Sequence, residues 1–366
     1  MQRRKFLTVA TATAGGTLLA GNAAAADDRP DLPALVRRYV TRALEAGSPS
    51  AVCGVIHGGR RHVAGAGEGP GGAAPDGGTV YQLGSIAKTL TATALARAVC
   101  AGTTRLDAPL TLPTGFPVPH RGPRPITLVD LATHSSGLPS LPPNLLAGAD
   151  PYDPYAHYTL DDLSSGLGET TLATEPGSQY AYSNLGVGLL GQALAFDAVD
   201  TMLRRRVAGP LGLKDTTTAL RPDMAARKAV GHLAGEPVPD WRDPVLSAAG
   251  TSMYSTADDM VRFLDAQLHP GGSPLRAAIE LTQRPHFTAE GGLRLGLGWH
   301  LSPLPGGRTL TWHTGGTGGF STCAAFSRES GSAVVMMVNT FSEETATDPR
   351  PVDALTFGLL GELTAA

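Results

Sequence analysis

The stretch Tyr81-Gln82-Leu83-Gly84-Ser85-Ile86-Ala87-Lys88-Thr89-Leu90 places a glycine break, a serine and a lysine at the start of a predicted helix. From Ser85 to Cys100 the chain is rich in Ala and Leu and contains no Gly or Pro, which favours a helix. A serine and a lysine three positions apart share one helix face, with Cβ atoms about 5–6 Å apart. Free N–H groups in the first turn favour a developing anion. Ser85 is therefore a candidate nucleophile, with the Lys88 amine beside it to manage its proton.

Lysine is rare in this chain, and that rarity gives Lys88 more weight. Of the 29 lysines and arginines, only four are lysines: Lys5, Lys88, Lys214 and Lys228. Arginine cannot release its proton in a protein, whereas a desolvated lysine can. The alternative interpretation of the Ser-x-x-Lys pair is an ordinary helix surface that begins with a serine.

The overall composition is that of a globular protein with a large core and two subdomains. The chain has 366 residues, of which 42% are hydrophobic and 17% charged, and its formal net charge is −3. It contains no basic block, which argues against nucleic acid as a partner. No stretch beyond the N-terminus has 18 uninterrupted apolar residues, so no transmembrane segment is expected in the mature chain.

The three cysteines, Cys53, Cys100 and Cys323, lie far apart in apolar surroundings and lack metal-ligand spacing. They are expected to be buried thiols, although one disulfide is possible in an exported protein.

Residues 1–26 have the order of an export signal. Arg3-Arg4-Lys5-Phe6-Leu7 is followed by a weakly apolar run and by four alanines at 23–26. Adjacent arginines followed by Phe-Leu resemble a twin-arginine signal, which predicts a periplasmic or secreted protein. The alternative is an N-terminal helix of the fold. Residues 27–366 form the predicted mature domain.

The remaining pattern predicts an α+β fold. A helix over 31–46 and a hairpin over 51–66 come first, and helices dominate the middle. Strands are predicted at Leu295–Leu301, Arg308–Trp312, Phe320–Phe326 and Ala333–Asn339, before a last helix over 352–364. The simplest assembly is an antiparallel sheet flanked by the N- and C-terminal helices. This sheet lobe takes residues 27–104 and 247–366, and a helical lobe takes 105–246.

More specific predictions can be made for several segments in the middle of the chain. Thr127 caps a helix that begins at Leu128, the apolar run Leu185–Phe196 forms another, and a third lies near Asp200–Ala208. Residues 139–158 form a long loop, which is either a binding lip or a tolerated surface excursion. Residues 221–246 are expected to be irregular.

Three motifs follow one another along the chain: Ser85-x-x-Lys88, Tyr182-x-Asn184 and His313-Thr314-Gly315. In this order they resemble the serine β-lactamase and penicillin-binding protein superfamily, in its class C-like branch. Leu131–Leu138, Glu175-Pro176-Gly177 and Pro210–Leu213 also match that family. The resemblance covers essentially the whole mature chain, and it implies a β-lactamase/transpeptidase-like α/β sandwich with a helical lobe.

The resemblance implies a role for each motif residue. Ser85 attacks a carbonyl and becomes acylated, and either Lys88 or Tyr182 takes its proton. Tyr182 also passes a proton to the leaving group. Asn184 is expected to hydrogen-bond Lys88 and the substrate amide.

The same resemblance implies that a strand carrying His313, Thr314 and Gly315 forms the substrate edge, and that the backbone N–H groups of Ser85 and Gly316 form the oxyanion hole. No metal or organic cofactor is needed.

His313 departs from the lysine of many β-lactamases. Neutral histidine is a weaker anion anchor near pH 7. Arg294 and Arg308 are predicted on nearby strands and can compensate only if their side chains reach the site; otherwise they are exposed strand cations.

The sequence thus predicts an exported serine hydrolase. The function that the sequence favours is that of a D-alanyl-D-alanine carboxypeptidase or endopeptidase acting on peptidoglycan peptides. The alternatives are a class C-like β-lactamase, a class C-like carboxylesterase, and a penicillin-binding sensor that acylates without turnover. The corresponding partners are a peptidoglycan peptide, a β-lactam or an ester. The oligomeric state is left open.

Overall fold

The computed structural model describes residues 30–195, 198–341 and 351–365. The predicted α+β architecture is confirmed: helices cover an antiparallel sheet. The predicted export signal at 1–26 and Phe196 lie outside the described residues. No helix within the described ranges is both long and apolar enough to cross a bilayer.

Helices are distributed along the described chain, whereas the longest strands lie near its two ends. The helices are α1 Leu32–Glu45, α2 Ala87–Cys100, α3 Leu128–Ala132, α4 Leu160–Glu169, α5 Asn184–Leu194, α6 Val199–Leu203, α7 Gly209–Leu211, α8 Pro222–Ala225, α9 Ala257–Leu268, α10 Arg276–Thr282 and α11 Pro351–Ala365. The strands are β1 Ser50–His57, β2 Arg60–Gly67, β3 Val80–Gln82, β4 Gly231–Leu233, β5 Glu236–Val238, β6 Tyr254–Thr256, β7 Phe287–Thr288, β8 Arg294–Leu295, β9 His300–Pro303, β10 Thr309–Gly316, β11 Ser321–Ser327, β12 Ser332–Val338 and β13 Thr340–Phe341.

One eight-stranded sheet joins the two ends of the chain. Its order is β2-β1-β12-β11-β10-β9-β8-β7, with antiparallel neighbours throughout. Ala51 of β1 stands opposite Val338 of β12, so the predicted pairing of the terminal strands is confirmed. The central strands β1, β11 and β12 are buried almost throughout, as expected for a sheet covered on both faces.

The two faces of the sheet are covered by different helices. On one face, α1 and α11 bury Val36, Tyr39 and Leu359 against apolar side chains of β1, β11 and β12. On the other face, α9 packs on β1 and β12, and a larger core continues through α2 and α5. Residues 105–246 supply helices α3 to α8. Helix α2, which carries Lys88 and follows Ser85 directly, therefore lies deep between the sheet and these middle helices.

Local capping chemistry explains where the helices begin. The Asp31 carboxylate accepts the Ala34 N–H at the start of α1. At α3 the Asp130 carboxylate accepts the N–H and the hydroxyl of Thr127, over 2.8 and 2.6 Å, at the helix start that the sequence predicted. The Thr256 hydroxyl accepts the Asp259 N–H at the start of α9.

Some predictions from the sequence were wrong in detail. Residues 295–301 are not one strand, because the Gly296 N–H donates to the Trp299 carbonyl and closes a turn between β8 and β9. Gly298, with φ of +70°, completes that turn. Residues 221–246 are not wholly irregular, since they contain α8 and the β4–β5 hairpin. Strand β10 runs past the predicted end at Trp312 to Gly316, and it therefore carries His313, Thr314 and Gly315 as the family resemblance implied.

The predicted burial of the cysteines holds for Cys53 and Cys323, but Cys100 is exposed. The helix α2 ends at Cys100, and its last residues leave the core.

Candidate active site

The candidate nucleophile lies in a tight turn between a strand and a helix. Strand β3 pairs with β6 and delivers the chain to a 3₁₀ turn, Gly84–Ile86, which continues directly into α2. Gly84 has φ of +56°, a conformation that glycine adopts without steric cost. The turn leaves Ser85 half-buried at the N-terminal end of α2.

Lys88 lies one turn further along and points its amine at Ser85. The Nζ atom is 2.8 Å from Ser85 Oγ and 2.6 Å from the Ala249 carbonyl oxygen. The side chain is 1% exposed, and this burial holds the pKa of Lys88 well below its usual range. A neutral amine can donate one N–H to Ala249 while its lone pair faces the Ser85 hydroxyl. The arrangement is that of a base poised to take the serine proton.

The loop after α3 fixes Tyr182 over this pair. The Ala181 N–H donates to the His134 carbonyl over 2.7 Å, and the Ser183 N–H donates to His134 Nδ1 over 3.1 Å. The Tyr182 ring lies 4.4 Å from the His134 ring, and Lys88 Nζ lies 4.9 Å from the Tyr182 ring centroid. The structure therefore brings Ser85, Lys88 and Tyr182 together.

Asn184 is close by but does not make the predicted bond to Lys88. Its backbone N–H donates to the Ser140 carbonyl over 2.9 Å. The Ala249 carbonyl holds the lysine instead. Within the described chain, Asn184 Oδ1 is buried without a hydrogen-bond partner, so this amide retains capacity for another group.

The end of β10 lies directly against the nucleophile turn. A Cβ built on Gly84 would overlap the Gly316 backbone nitrogen, and one built on Gly315 would overlap the Leu83 carbonyl oxygen. The Thr322 hydroxyl of the next strand also donates to that carbonyl, over 2.6 Å. Glycine at these positions is what allows two backbones to meet beside Ser85.

A cavity of about 330 Å³ opens in front of Ser85. Strand β10 forms one wall through His313, Thr314, Gly315 and Gly316, and Tyr182 faces it. Asp353 and Phe357, one helical turn apart on α11, also line the cavity. None of its lining residues in the described chain is a lysine or an arginine.

Three buried histidines lie near Ser85 and Tyr182. The ring centroids of His134 and His313 are 4.4 and 6.3 Å from that of Tyr182, and the His300 ring centroid is 5.2 Å from that of His313. Burial lowers the pKa of all three histidines, that of His300 to about 4. His313 Nδ1 donates to the Thr314 carbonyl over 2.6 Å, which leaves its Nε2 as an acceptor. At neutral pH these histidines are uncharged and offer no cation to a substrate.

The two arginines considered as substitutes for a lysine at position 313 do not line the cavity. Arg308 donates to the Pro305 and Thr364 carbonyls at the other end of β10. Arg294 lies on β8, opposite Leu301. In the described part of the chain, neither arginine therefore supplies to the cavity the positive charge that a lysine at position 313 would supply.

Several site residues carried no recognisable signal in the sequence. His134 lies within a stretch that stands out only by its family resemblance, and its left-handed backbone, φ +56°, is uncommon for a non-glycine residue. His300 reaches the site through a turn where the sequence pattern predicted continuous strand, and its Nε2 lies 3.1 Å from the Tyr180 hydroxyl oxygen. The i, i+4 spacing of Asp353 and Phe357 was a usable signal for a shared face on α11.

Comparisons with known proteins show which family this chain is similar to. A sequence model of the Beta-lactamase family matches residues 32–356. The D-alanyl-D-alanine-carboxypeptidase/endopeptidase AmpH of Escherichia coli (strain K12) is 34% identical over 266 residues, which are 68% of this chain and 67% of that protein. Esterase EstB of Burkholderia gladioli is 32% identical over 243 residues, covering 54% of this chain and 59% of the esterase.

A solved structure is also similar. The beta-lactamase/D-alanine carboxypeptidase from Yersinia pestis, complexed with citrate, superposes with a TM-score of 0.77 at 26% identity, covering 90% of this chain and 97% of that chain. The fold and the Ser85–Lys88 pair define a serine hydrolase. The chain belongs to the beta-lactamase family.

The buried histidines predict a stability that falls in mild acid. The pKa of His300 is about 4 in the folded chain and about 6.5 when unfolded, so the unfolded chain takes up the proton first as the pH falls. The contribution of His300 is complete above pH 6.5 and is lost on descent towards pH 4. Between pH 7.5 and 5 it amounts to about 2 kcal/mol of unfolding free energy. Urea unfolding should be measured at pH 7.5 and at pH 5. The fall in unfolding free energy between these pH values should be about 2 kcal/mol smaller in H300Q than in the parent. The exposed-histidine variant H120Q should keep the full drop, and an undiminished drop in H300Q would contradict this assignment.

Proposed function

We propose that this chain is an exported D-alanyl-D-alanine carboxypeptidase/endopeptidase that forms an acyl-enzyme on Ser85. The observation that carries the chemistry is the buried Lys88 amine, 2.8 Å from Ser85 Oγ at the floor of a cleft. The observation that carries the substrate class is the 34% identity to a D-alanyl-D-alanine-carboxypeptidase/endopeptidase.

Acylation begins with proton transfer from Ser85 to Lys88. The neutral Nζ accepts the hydroxyl proton as Oγ attacks the peptide carbonyl carbon between the two D-alanines. We assign this proton to Lys88 because its nitrogen contacts Oγ and its burial favours the uncharged form. The resulting ammonium remains held by the Ala249 carbonyl, which stabilises the charge until it is passed on.

The tetrahedral intermediate carries its negative charge on the former carbonyl oxygen. The backbone N–H groups of Ser85 and Gly316 are its proposed donors, and the close approach of Gly316 to Gly84 brings the two segments into reach of one oxygen. A donor of this kind is worth about 3 kcal/mol of barrier.

Collapse of the intermediate breaks the C–N bond and releases the terminal amine. Tyr182, whose ring lies over Lys88, is the proposed donor of the proton that this amine needs. In the second half of the cycle, water loses a proton to the same Tyr182–Lys88 pair and attacks the acyl carbon. The free acid leaves, and Ser85 regains its proton.

A carboxylesterase is the second candidate, and the charge of the cavity favours it. Among the described residues lining this cavity there is no lysine or arginine, and burial keeps His313 uncharged. Such a cleft accepts an acyl donor that has no free carboxylate. The 32% identity to an esterase supports the same candidate.

Export is part of the proposal. Residues 1–26 have the basic, apolar and small-residue segments of a signal, with the twin arginines Arg3 and Arg4 at its start. Delivery outside the cytoplasm would bring the enzyme to peptidoglycan, where its proposed substrate is exposed.

A comparison of acyl donors tests the substrate class. The mature chain is expected to hydrolyse a D-alanyl-D-alanine peptide with a higher kcat/KM than a chromogenic cephalosporin. Turnover of a nitrophenyl ester alone would reject the peptidase and leave the esterase. Faster cephalosporin hydrolysis would favour a β-lactamase, and stable acylation by a fluorescent penicillin without any turnover would favour a sensor. Mass spectrometry should find the acyl adduct on Ser85 and none in S85A.

Two substitutions separate the roles of Lys88 and Tyr182. K88M keeps the length and packing of the side chain but removes the base, so kcat/KM for ester and peptide should both fall by about 10²- to 10⁴-fold. Y182F keeps the ring against His134 but removes the hydroxyl. Because nitrophenolate leaves without a proton, Y182F should impair peptide cleavage far more than nitrophenyl ester cleavage. Equal losses for both substrates in Y182F would place the first proton on Tyr182 instead.

The export signal can be tested without altering its charge. We expect residues 1–30 fused to a folded fluorescent reporter to direct it to the periplasm, and R3K/R4K in the same fusion to leave it in the cytoplasm. Host cells lacking the twin-arginine translocase should retain both fusions. Export of the lysine variant, or export without the translocase, would contradict a twin-arginine route.

A further inference from the structure

A second cavity lies at the other end of the helix that carries Ser85. It has a volume of about 490 Å³ and is bounded by the C-terminal end of α2, the end of α5, α6 and the turn that follows α6. Arg97 lies nine positions after Lys88, which is a rise of about 14 Å along the helix. Among the described residues, none lines both cavities.

Arginine dominates the polar lining of this second cavity. Arg97, Arg205 and Arg206 all line it, and no acidic residue of the described chain does. Across residues 30–195, 198–341 and 351–365, none of these three has a carboxylate within ion-pairing distance. The neighbouring Arg204, by contrast, lies 3.9 Å from Asp200. The concentration of positive charge is notable because the whole chain has a formal charge of −3.

Two structural features hold the arginines together. Residues Arg204–Ala208 form a π-helical turn, a wider turn that often occurs at functional sites. The Arg97 Nη1 donates to the Arg205 and Arg206 carbonyls, over 3.1 and 2.7 Å, and ties this turn to α2. The fold therefore uses hydrogen bonds to keep like charges side by side.

Arg206 is the member with unmet bonding capacity. Its Nη1 is buried, and no residue in the described part of the chain accepts a hydrogen bond from it. Burial, with Arg97 and Arg205 beside it, lowers the pKa of Arg206. The residue as a whole is partly exposed, so Nη1 is the part of the guanidinium that lacks an acceptor, and an anion in the cavity would supply one.

We propose that this cavity binds a phosphate group, carried by a small organic phosphate or by a lipid headgroup. Guanidinium groups bind phosphate through paired, charge-assisted hydrogen bonds, and a phosphate monoester carries up to two negative charges. A single carboxylate would balance only one of three arginines. Leu194, Ala98 and Met202 supply an apolar wall for the organic part of the ligand.

Binding of inorganic phosphate by the mature chain tests the site directly. Calorimetry at constant ionic strength should give one site for phosphate and much weaker binding of acetate. R206Q should weaken phosphate binding by at least about tenfold, because a charge-assisted hydrogen bond is lost. R276Q is the matched control: it removes an arginine that pairs with Glu280 on α10 and does not line the cavity, and it should bind phosphate as the parent does.

A second experiment distinguishes a lipid headgroup from a small organic phosphate as the ligand. Sedimentation with vesicles of phosphatidic acid in phosphatidylcholine, compared with phosphatidylcholine alone, reports binding to a lipid headgroup. Vesicle binding that is lost in R206Q, with no binding of free phosphate, would assign the site to a lipid. Binding of free phosphate alone would assign it to a soluble ligand.

Folding controls keep the test decisive. Nitrophenyl ester hydrolysis should be unchanged in R206Q, because Ser85 is at the other end of α2. The exposed Arg205 provides a second variant, R205Q, which should also weaken binding. Absence of binding in both arms, or binding that survives R206Q and R205Q undiminished, would overturn the proposal.

Discussion

The Nζ atom of Lys88 lies between the Ser85 hydroxyl and the Ala249 carbonyl, and the chemistry of the site depends on the enclosure of this one amine. A lysine that water could reach would stay protonated and could not act as a base near neutral pH. Enclosure needs several parts of the chain at once. Helix α2 supplies the lysine, the turn at Ser247–Ala249 supplies the acceptor, and Tyr182 covers the amine from above. The Thr91 hydroxyl also donates to the Ala248 carbonyl over 2.8 Å, so helix and turn are joined at two points.

Glycine makes that enclosure compatible with an accessible serine. A Cβ on Gly250 would overlap the Gly84 carbonyl oxygen, while a Cβ on Gly84 would overlap the Gly316 nitrogen. Three backbone segments that are distant in sequence thus meet around one turn. Side chains there would push β10 and the Ala249 turn away from Ser85, open the amine to water and separate the two proposed oxyanion donors. The same glycines therefore keep water away from Lys88, which lowers its pKa, and leave room for the substrate carbonyl at Ser85.

Whether the sequence could predict a feature depended on how far apart along the chain the interacting residues lie. Helix starts at Asp31 and Thr127 were predictable because a cap acts within three residues. The motif order predicted that Ser85, Lys88 and Tyr182 would meet, but it misassigned the lysine's partner to Asn184. A backbone carbonyl such as that of Ala249 has no sequence signature, since every residue has one. His300 was missed for a related reason: the turn that delivers it depends on the contact of Gly298 with Ala132, far away in the chain.

Burial also explains how charge is distributed along α2. The burial that lowers the pKa of Lys88 also lowers the pKa values of His134, His300 and His313, and no lysine or arginine of the described chain lines the cleft. Selection of an acyl donor there must depend on hydrogen bonds from backbone and hydroxyl groups and on the shape of the cleft. At the opposite end of α2, Arg97 and Arg206 are partly buried and Arg205 is exposed, and all three keep their charge because arginine does not release its proton in a protein. One helix thus separates a site whose chemistry requires an uncharged base from the cavity proposed to bind an anion.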